Sequence, residues 1–227
     1  MEIKNIYRGK ELIHYDYLMS LRDGLRDDFF RAHPEYSNLD DWAGDHYTPD
    51  GWKISIIQYD NVNDKEDKAE MRSEMAAAQL RAAKDKYPTV HDKILMKWGA
   101  DCIVCGYAAL MPGAVISRHT GDENRHAENI RIHIPLVVPA GDIGMEVYGE
   151  YVDWSDLFCF DNQKVHSVWN WTDKPRLILL LDLKRSVCAL PQGIPWTKES
   201  EDNAPGFSKL YGDQIGVCKY VAPEEHI

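Results

Sequence analysis

The second half of the chain reads as short β runs punctuated by turn residues, and no other feature constrains the fold as tightly. The runs are Cys102–Leu110, Ala114–Thr120, Asn129–Val138, Gly144–Tyr151, Asp156–Phe160, Val165–Trp171 and Leu177–Leu183. Met111-Pro112-Gly113 and Pro139-Ala140-Gly141-Asp142 are turn signals, because proline presets φ and glycine accepts backbone angles that other residues avoid. Strands this closely spaced in sequence do not fit alternating strand–helix units, so the expectation is an antiparallel sandwich or barrel.

Before residue 100 the texture is different. Asp16 to Arg31 carries Tyr17, Leu18, Leu21, Leu25, Phe29 and Phe30 at spacings that form one apolar stripe on a helix. Asp64 to Lys86 is rich in Ala, Glu, Lys, Arg and Met and predicts a second helix, ended by Tyr87-Pro88. Trp52 to Tyr59 between them predicts a strand. The organisation expected is a helical N-terminal region over residues 1–100 packing on the β part, a barrel core over 101–186, and a C-terminal extension over 187–227 that wraps the surface. At 227 residues and 44% hydrophobic, the chain has enough apolar material for one structural domain.

The formal net charge of −11 denies it the broad basic surface that duplex nucleic acid or an anionic membrane needs. Five cysteines, Cys102, Cys105, Cys159, Cys188 and Cys218, are an odd number at low density and read as buried free thiols rather than a secreted disulfide framework. Cys102-Ile-Val-Cys105 has zinc-knuckle spacing but lacks a second pair. The N-terminus shows no signal-peptide pattern, and no stretch approaches the length of a membrane span. The expected compartment is cytoplasmic, with neither nucleic acid nor membrane as partner.

Polar groups stand out where strand interiors prefer apolar ones. His119 ends an apolar run. In Asn129-Ile130-Arg131-Ile132-His133-Ile134, the alternation of side chains puts the isoleucines on one face and Asn129, Arg131 and His133 on the other. His166 opens another run, and Arg176 follows it by ten residues at the head of Leu177-Ile178-Leu179-Leu180-Leu181. Each alone has a plain structural reading, as a hydrogen-bonded strand histidine or a solvated turn residue. Together they suit a catalytic metal, which takes imidazole ligands from different strands and keeps coordination positions open. A dicarboxylate co-substrate needs a fixed cation at its far end, which arginine supplies by a bidentate pair.

Gly106 to Arg185 resembles the aspartyl/asparaginyl β-hydroxylase family of 2-oxoglutarate oxygenases. The matching pieces, in order, are Met111-Pro112-Gly113, His119-Thr120-Gly121, Arg131-Ile132-His133, Phe160-Asp161, His166-Ser167-Val168-Trp169 and Arg176-Leu177-Ile178. The resemblance implies a double-stranded β-helix (a cupin-like jelly roll) that uses Fe(II), 2-oxoglutarate and O2. It implies His119 and His166 as iron ligands, Arg176 on the remote carboxylate of 2-oxoglutarate, Arg131 and His133 helping to hold that co-substrate, and Trp169 packed near the site. The reaction implied is hydroxylation of the substrate with decarboxylation of 2-oxoglutarate to succinate.

Where many iron oxygenases place a carboxylate ligand, two residues after the first histidine, this chain has Gly121. Water, Asp122, Glu123 or chloride remains to complete the site, and chloride would allow halogenation. Trp154, Trp169 and Trp171 are candidates for keeping water out. The loop from Asp122 to Glu128, with Arg125 and His126, and neighbouring Arg118 are candidate substrate contacts. The substrate expected is an amino acid or an amino-acid-containing small molecule or peptide. A cupin-like binding protein without catalysis is the rival reading.

Overall fold

The computed structural model describes residues 3–41, 48, 50–59, 69–121, 127–195 and 197–202, and the side chains of all of these except 41, 69–76, 201 and 202. The strands are β1 (Ile6–Arg8), β2 (Asp40–Asp41), β3 (Trp52–Tyr59), β4 (Cys102–Leu110), β5 (Ala114–His119), β6 (Asn129–Val137), β7 (Ile143–Val147), β8 (Glu150–Val152), β9 (Phe158–Phe160), β10 (His166–Asn170) and β11 (Arg176–Lys184). They form a major sheet ordered β1-β9-β6-β11-β4-β3-β2 and a minor sheet ordered β5-β10-β7-β8. The pairings are antiparallel. The two sheets face each other as a double-stranded β-helix, with helices on the outer side of the major sheet.

The alternation of side chains explains why both sides of the major sheet are apolar. On β11, Leu177, Leu179, Leu181 and Leu183 pack outward against the helices, while Ile178 and Leu180 point into the barrel. A strand covered on both faces must be a near-continuous hydrophobic run, which is how β11 reads. On β6, Ile130, Ile132, Ile134 and Leu136 join the helix-side layer, which leaves Asn129, Arg131 and His133 for the barrel interior. The helices that cover this layer are α1 (Tyr15–Ser20), α2 (Arg22–Ala32) and α3 (Ala69–Lys86), followed by a helical run through Pro88–Val90, a π turn at His91–Leu95 and Met96–Trp98. Leu18, Leu25, Phe29, Tyr87, Val90, Ile94 and Trp98 are its apolar teeth.

Several elements differ from the sequence reading for physical reasons. The helix expected over Asp16–Arg31 is two, broken at Leu21, whose N–H bonds to the Leu18 and Met19 carbonyls. Gly144–Tyr151 is not one strand but a hairpin of β7 and β8. Tyr148 and Gly149 both take positive φ, 50° and 85°, which is the left-handed pair that matches the twist of a tight hairpin. Tyr87-Pro88 ends α3 and also starts the next helical run, since proline suits the first helical position. The first hundred residues also supply β1, β2 and β3 to the major sheet. The expected start of the second helix, residues 64–68, lies outside the described residues.

Cys102, Cys105, Cys159 and Cys188 are buried free thiols, and burial pushes Cys188 up to about 12. Cys218 lies outside the described residues. Among the described residues no helix is long and apolar enough to cross a membrane.

Candidate active site

β5 and β10 lie side by side, and His119 stands opposite His166 in their register. A β-bulge makes this possible. The register shifts between His166↔His119 and Val168↔Ile116, so β5 carries an extra residue there. Ala114 and Ile116 point into the barrel, and uninterrupted alternation would send Arg118 the same way. The bulge reverses the phase and turns His119 inward, as bulges do where a side chain must be re-aimed. The two imidazole centroids are 4.2 Å apart.

Both rings are held in the same way. Nδ1 of His119 lies 2.7 Å from the Ser117 carbonyl, and Nδ1 of His166 lies 2.7 Å from the Lys164 carbonyl. A carbonyl only accepts, so each Nδ1 carries the hydrogen and each Nε2 keeps its lone pair. A backbone partner of this kind typically fixes the tautomer of a metal-binding histidine. Burial pushes His166 well below the usual imidazole range, with neighbouring His119 adding to the effect, so His166 is neutral, the form a metal requires.

Arg176 opens β11 on its inner face and is 2% exposed. Its guanidinium carbon lies 4.3 Å from the centre of the Trp154 ring. Nε is buried without a hydrogen-bond partner, and no acid of the described residues pairs with the group. Burial pushes Arg176 down to about 9, which still leaves it protonated at neutral pH. A buried cation without an anion costs several kcal/mol, so an anion entering the cavity would find a favourable partner here. His133 has the same character. Its Nδ1 is buried without a partner, its ring stacks on Trp154 at 5.2 Å and 19°, and burial with nearby Arg176 and Arg131 keeps it neutral.

His119, Arg131, His133, His166 and Arg176 all line one cavity of about 360 Å³, together with Trp52, Phe160 and apolar groups of β4, β5, β7, β10 and β11. Five residues chosen on four separate stretches of sequence thus converge on one space. Among the described residues no group of three or more His, Cys, Asp or Glu forms a metal cluster. Two imidazoles on one side, a buried arginine on the other and orphaned polar atoms between them nonetheless fit a divalent metal chelated by a dicarboxylic keto acid. Asp122 and Glu123, the alternative ligands, lie outside the described residues, as do Arg125 and His126.

Arg131 is not an unclaimed cation. Nε donates to Asp182 Oδ1 at 2.8 Å and Nη2 to Oδ2 at 2.7 Å, with both side chains buried. Asp182 stands directly opposite Arg131 in the β6–β11 register. Sequence reasoning passed over Asp182, although an acid inside an otherwise apolar strand is a signal that a buried partner exists. A second buried pair was also missed. Arg185 Nη2 donates to Asp161 Oδ2 at 2.9 Å, while its Nε and Nη1 reach the carbonyls of Asn129 and Pro191. Asp161 begins the turn whose Lys164 carbonyl orients His166, and the Asn162 carbonyl of that turn accepts from Gly121 N–H. Arg185 therefore braces the turn shared by both histidine strands. Trp169 sits on the other face of β10 from His166, packs with Val115 and Trp171 and donates to Asp142, so it does not border the cavity. Odd and even positions of a strand face opposite ways. Trp154 is the tryptophan that touches Arg176 and His133.

A profile of the aspartyl/asparaginyl beta-hydroxylase family matches residues 23–186. A curated relative from Rhizobium tropici, an ornithine lipid ester-linked acyl 2-hydroxylase, is 24% identical over 120 residues, covering 46% of this chain. The chain spans less than half of that relative, 42% of its length. Among solved structures, a Pseudomonas putida prolyl-4-hydroxylase has a TM-score of 0.44 at 18% identity, covering 79% of this chain and 92% of that one. A Trichoplax adhaerens prolyl hydroxylase in complex with a hypoxia inducible factor peptide has a TM-score of 0.41 at 14% identity, covering 75% and 81%.

Proposed function

This chain belongs to the aspartyl/asparaginyl β-hydroxylase family, and from that premise we propose that it is an Fe(II)- and 2-oxoglutarate-dependent dioxygenase that hydroxylates an amino-acid-containing substrate. The observation that carries the reading is the single cavity shared by the His119–His166 pair and the buried, unpaired cation Arg176.

His119 and His166 would hold iron through Nε2, with Nδ1–H of each anchored to a carbonyl. The bound metal, O2 and 2-oxoglutarate supply the oxidising chemistry, converting a substrate C–H to C–OH as 2-oxoglutarate becomes succinate and CO2. The protein contributes position and dryness. Arg176 takes the remote carboxylate, which satisfies Nε and neutralises a buried charge in the same contact. His133, neutral and stacked on Trp154, offers a hydrogen bond to the keto-acid end. Arg131 stands beside it, held in place by Asp182. Gly121 offers no side-chain ligand, so water would complete the site. Phe160 packs edge-on against both His133 and His166 and shields the histidine side of the cavity.

The test is anaerobic. Fe(II) and then 2-oxoglutarate are added to purified protein, and the visible spectrum is compared with that of His119→Ala. A charge-transfer band that needs both additions and vanishes in the variant is expected. Absence of the band at saturating additions would refute the proposal and favour a non-catalytic cupin-like binder.

A further inference from the structure

We infer that the buried Asp161–Arg185 pair and the strap that closes over it, Arg185–Gly193, are a positioning device for the metal centre. The inference rests on the proposed iron site and assigns the residues that keep its two imidazoles in register.

Both candidate ligands stand where a strand gives least support. His119 is the last residue of β5 and His166 the first of β10. Strand ends fray first, because the ladder holds them from one side only. With Gly121 in place of a third side-chain ligand, a metal would depend on these two rings alone, and an error in either is not shared. The support comes from the turn that leads into β10. Gly121 N–H, two residues beyond His119, donates to the Asn162 carbonyl at 2.7 Å. Lys164, whose carbonyl holds His166 Nδ1–H, donates its own N–H to the Asp161 carbonyl at 2.9 Å. Gln163 N–H donates to Asp161 Oδ1 at 3.2 Å. One turn thus ties both ligands, and Asp161 is its root.

Asp161 is fixed in turn by a segment further along the chain. Arg185 donates from Nη2 to Asp161 Oδ2 at 2.9 Å, from Nε to the Asn129 carbonyl at 3.1 Å and from Nη1 to the Pro191 carbonyl at 3.2 Å. A planar guanidinium aims its donors in set directions, so these segments are held at fixed angles to one another. A buried ion pair adds little stability over an apolar pair of the same volume. What it adds here is direction, and direction is what a ligand-bearing turn needs. The strap then folds back over the pair. Leu190 N–H donates to the Arg185 carbonyl at 3.0 Å, and Gly193 N–H to the Ala127 carbonyl at 3.2 Å. Gly193 is pressed against the two charges. A Cβ there would lie 2.9 Å from both Arg185 Nη2 and Asp161 Oδ2, and 2.7 Å from Ala127 Cβ. A side chain at this position would part the pair or lift the strap. Asp161, Arg185 and Gly193 do not border the catalytic cavity, so they act through the histidines.

The experiment measures Fe(II) binding to the intact chain by equilibrium dialysis without oxygen, beside thermal unfolding of the metal-free protein. Arg185→Lys keeps the charge and loses the fork, whereas Gly193→Ala keeps both charges and wedges them apart. Each should raise the Kd for Fe(II) by about tenfold to a hundredfold, the usual effect of removing a group that orients a metal-binding histidine. Leu18→Ala, a cavity in the helix layer, should lower Tm without reaching the turn and leave Fe(II) affinity unchanged. If Arg185→Lys fails to fold, Gly193→Ala, a single added methyl, decides. Wild-type Fe(II) affinity in folded Gly193→Ala, or an equal loss of affinity in Leu18→Ala, overturns the positioning role alone. Wild-type protein that binds no Fe(II), or binds it no better than His119→Ala does, overturns the oxygenase reading, and this inference falls with it.

Discussion

Arg176→Met should stabilise the cofactor-free protein and cripple co-substrate binding, two effects of opposite sign from one substitution. The guanidinium falls from 12.5 to about 9 on burial, which corresponds to a cost of about 5 kcal/mol for keeping the charge inside. The indole of Trp154 beneath it returns about 2 kcal/mol through a desolvated cation–π contact. Methionine removes the charge, keeps an unbranched stem and fills the site imperfectly, at a cost of about 1 kcal/mol. The balance is a gain of about 2 kcal/mol, or a rise of about 4–8 °C in Tm at this size. Binding moves the other way. Losing a charge-assisted pair to the carboxylate costs about 3 kcal/mol, so the Kd for 2-oxoglutarate should rise by about a hundredfold. Thermal unfolding of metal-free protein measures the first effect, and anaerobic titration of the charge-transfer band measures the second. A variant with lower Tm and unchanged 2-oxoglutarate affinity would make Arg176 a structural residue and refute this reasoning.

Asp182→Asn should destabilise the fold by about 3–5 kcal/mol, because it leaves buried Arg131 without its counter-charge; Arg131→Met with Asp182→Leu should recover most of that loss in denaturant unfolding and still fail to bind 2-oxoglutarate normally. The native state keeps His133 neutral well below its ordinary 6.5, whereas the unfolded chain protonates it there. The unfolded state therefore takes up the extra proton, and stability falls as pH drops below about 6.5 by up to about 1.4 kcal/mol per pH unit. His133→Phe should lower the pH slope of metal-free unfolding by that amount. Trp154→Leu removes the face beneath Arg176 and His133 and should raise the KM for 2-oxoglutarate by about tenfold, while Trp154→Phe restores most of it; equal KM values for both variants would count against a positioning role.

Much of the site was legible in the sequence because strands announce their faces. The alternation in Asn129–Ile134 was enough to put Arg131 and His133 on the barrel side, since isoleucine at every second position had only the helix layer to go to. Arg176 was visible as a charge at the head of an apolar run. What alternation does not reveal is a change of phase. His119 faces inward only because β5 bulges after Ile116, and Tyr59 shares a face of β3 with Ile54 and Ile56 only because that strand bulges at Ile57. A bulge adds one residue and leaves no mark in composition, so the inward turn of His119 depends on an irregularity that the sequence does not announce.

Pairing across strands was hidden for a related reason. Asp182 and Asp161 each lie far in sequence from the arginine they hold, and only the β6–β11 register brings Arg131 opposite Asp182. That register also explains why two arginines of one cavity behave differently. Inner-facing positions of β11 run Arg176, Ile178, Leu180, Asp182, so its cation and its acid sit about 20 Å apart along the strand. They cannot pair with each other. Asp182 neutralises Arg131 at one end, and Arg176 keeps its charge at the other, over an aromatic ring and with no acid among the described residues paired to it. The strand thus separates a permanently balanced charge from an unbalanced one, and it is the unbalanced end that has reason to wait for a carboxylate.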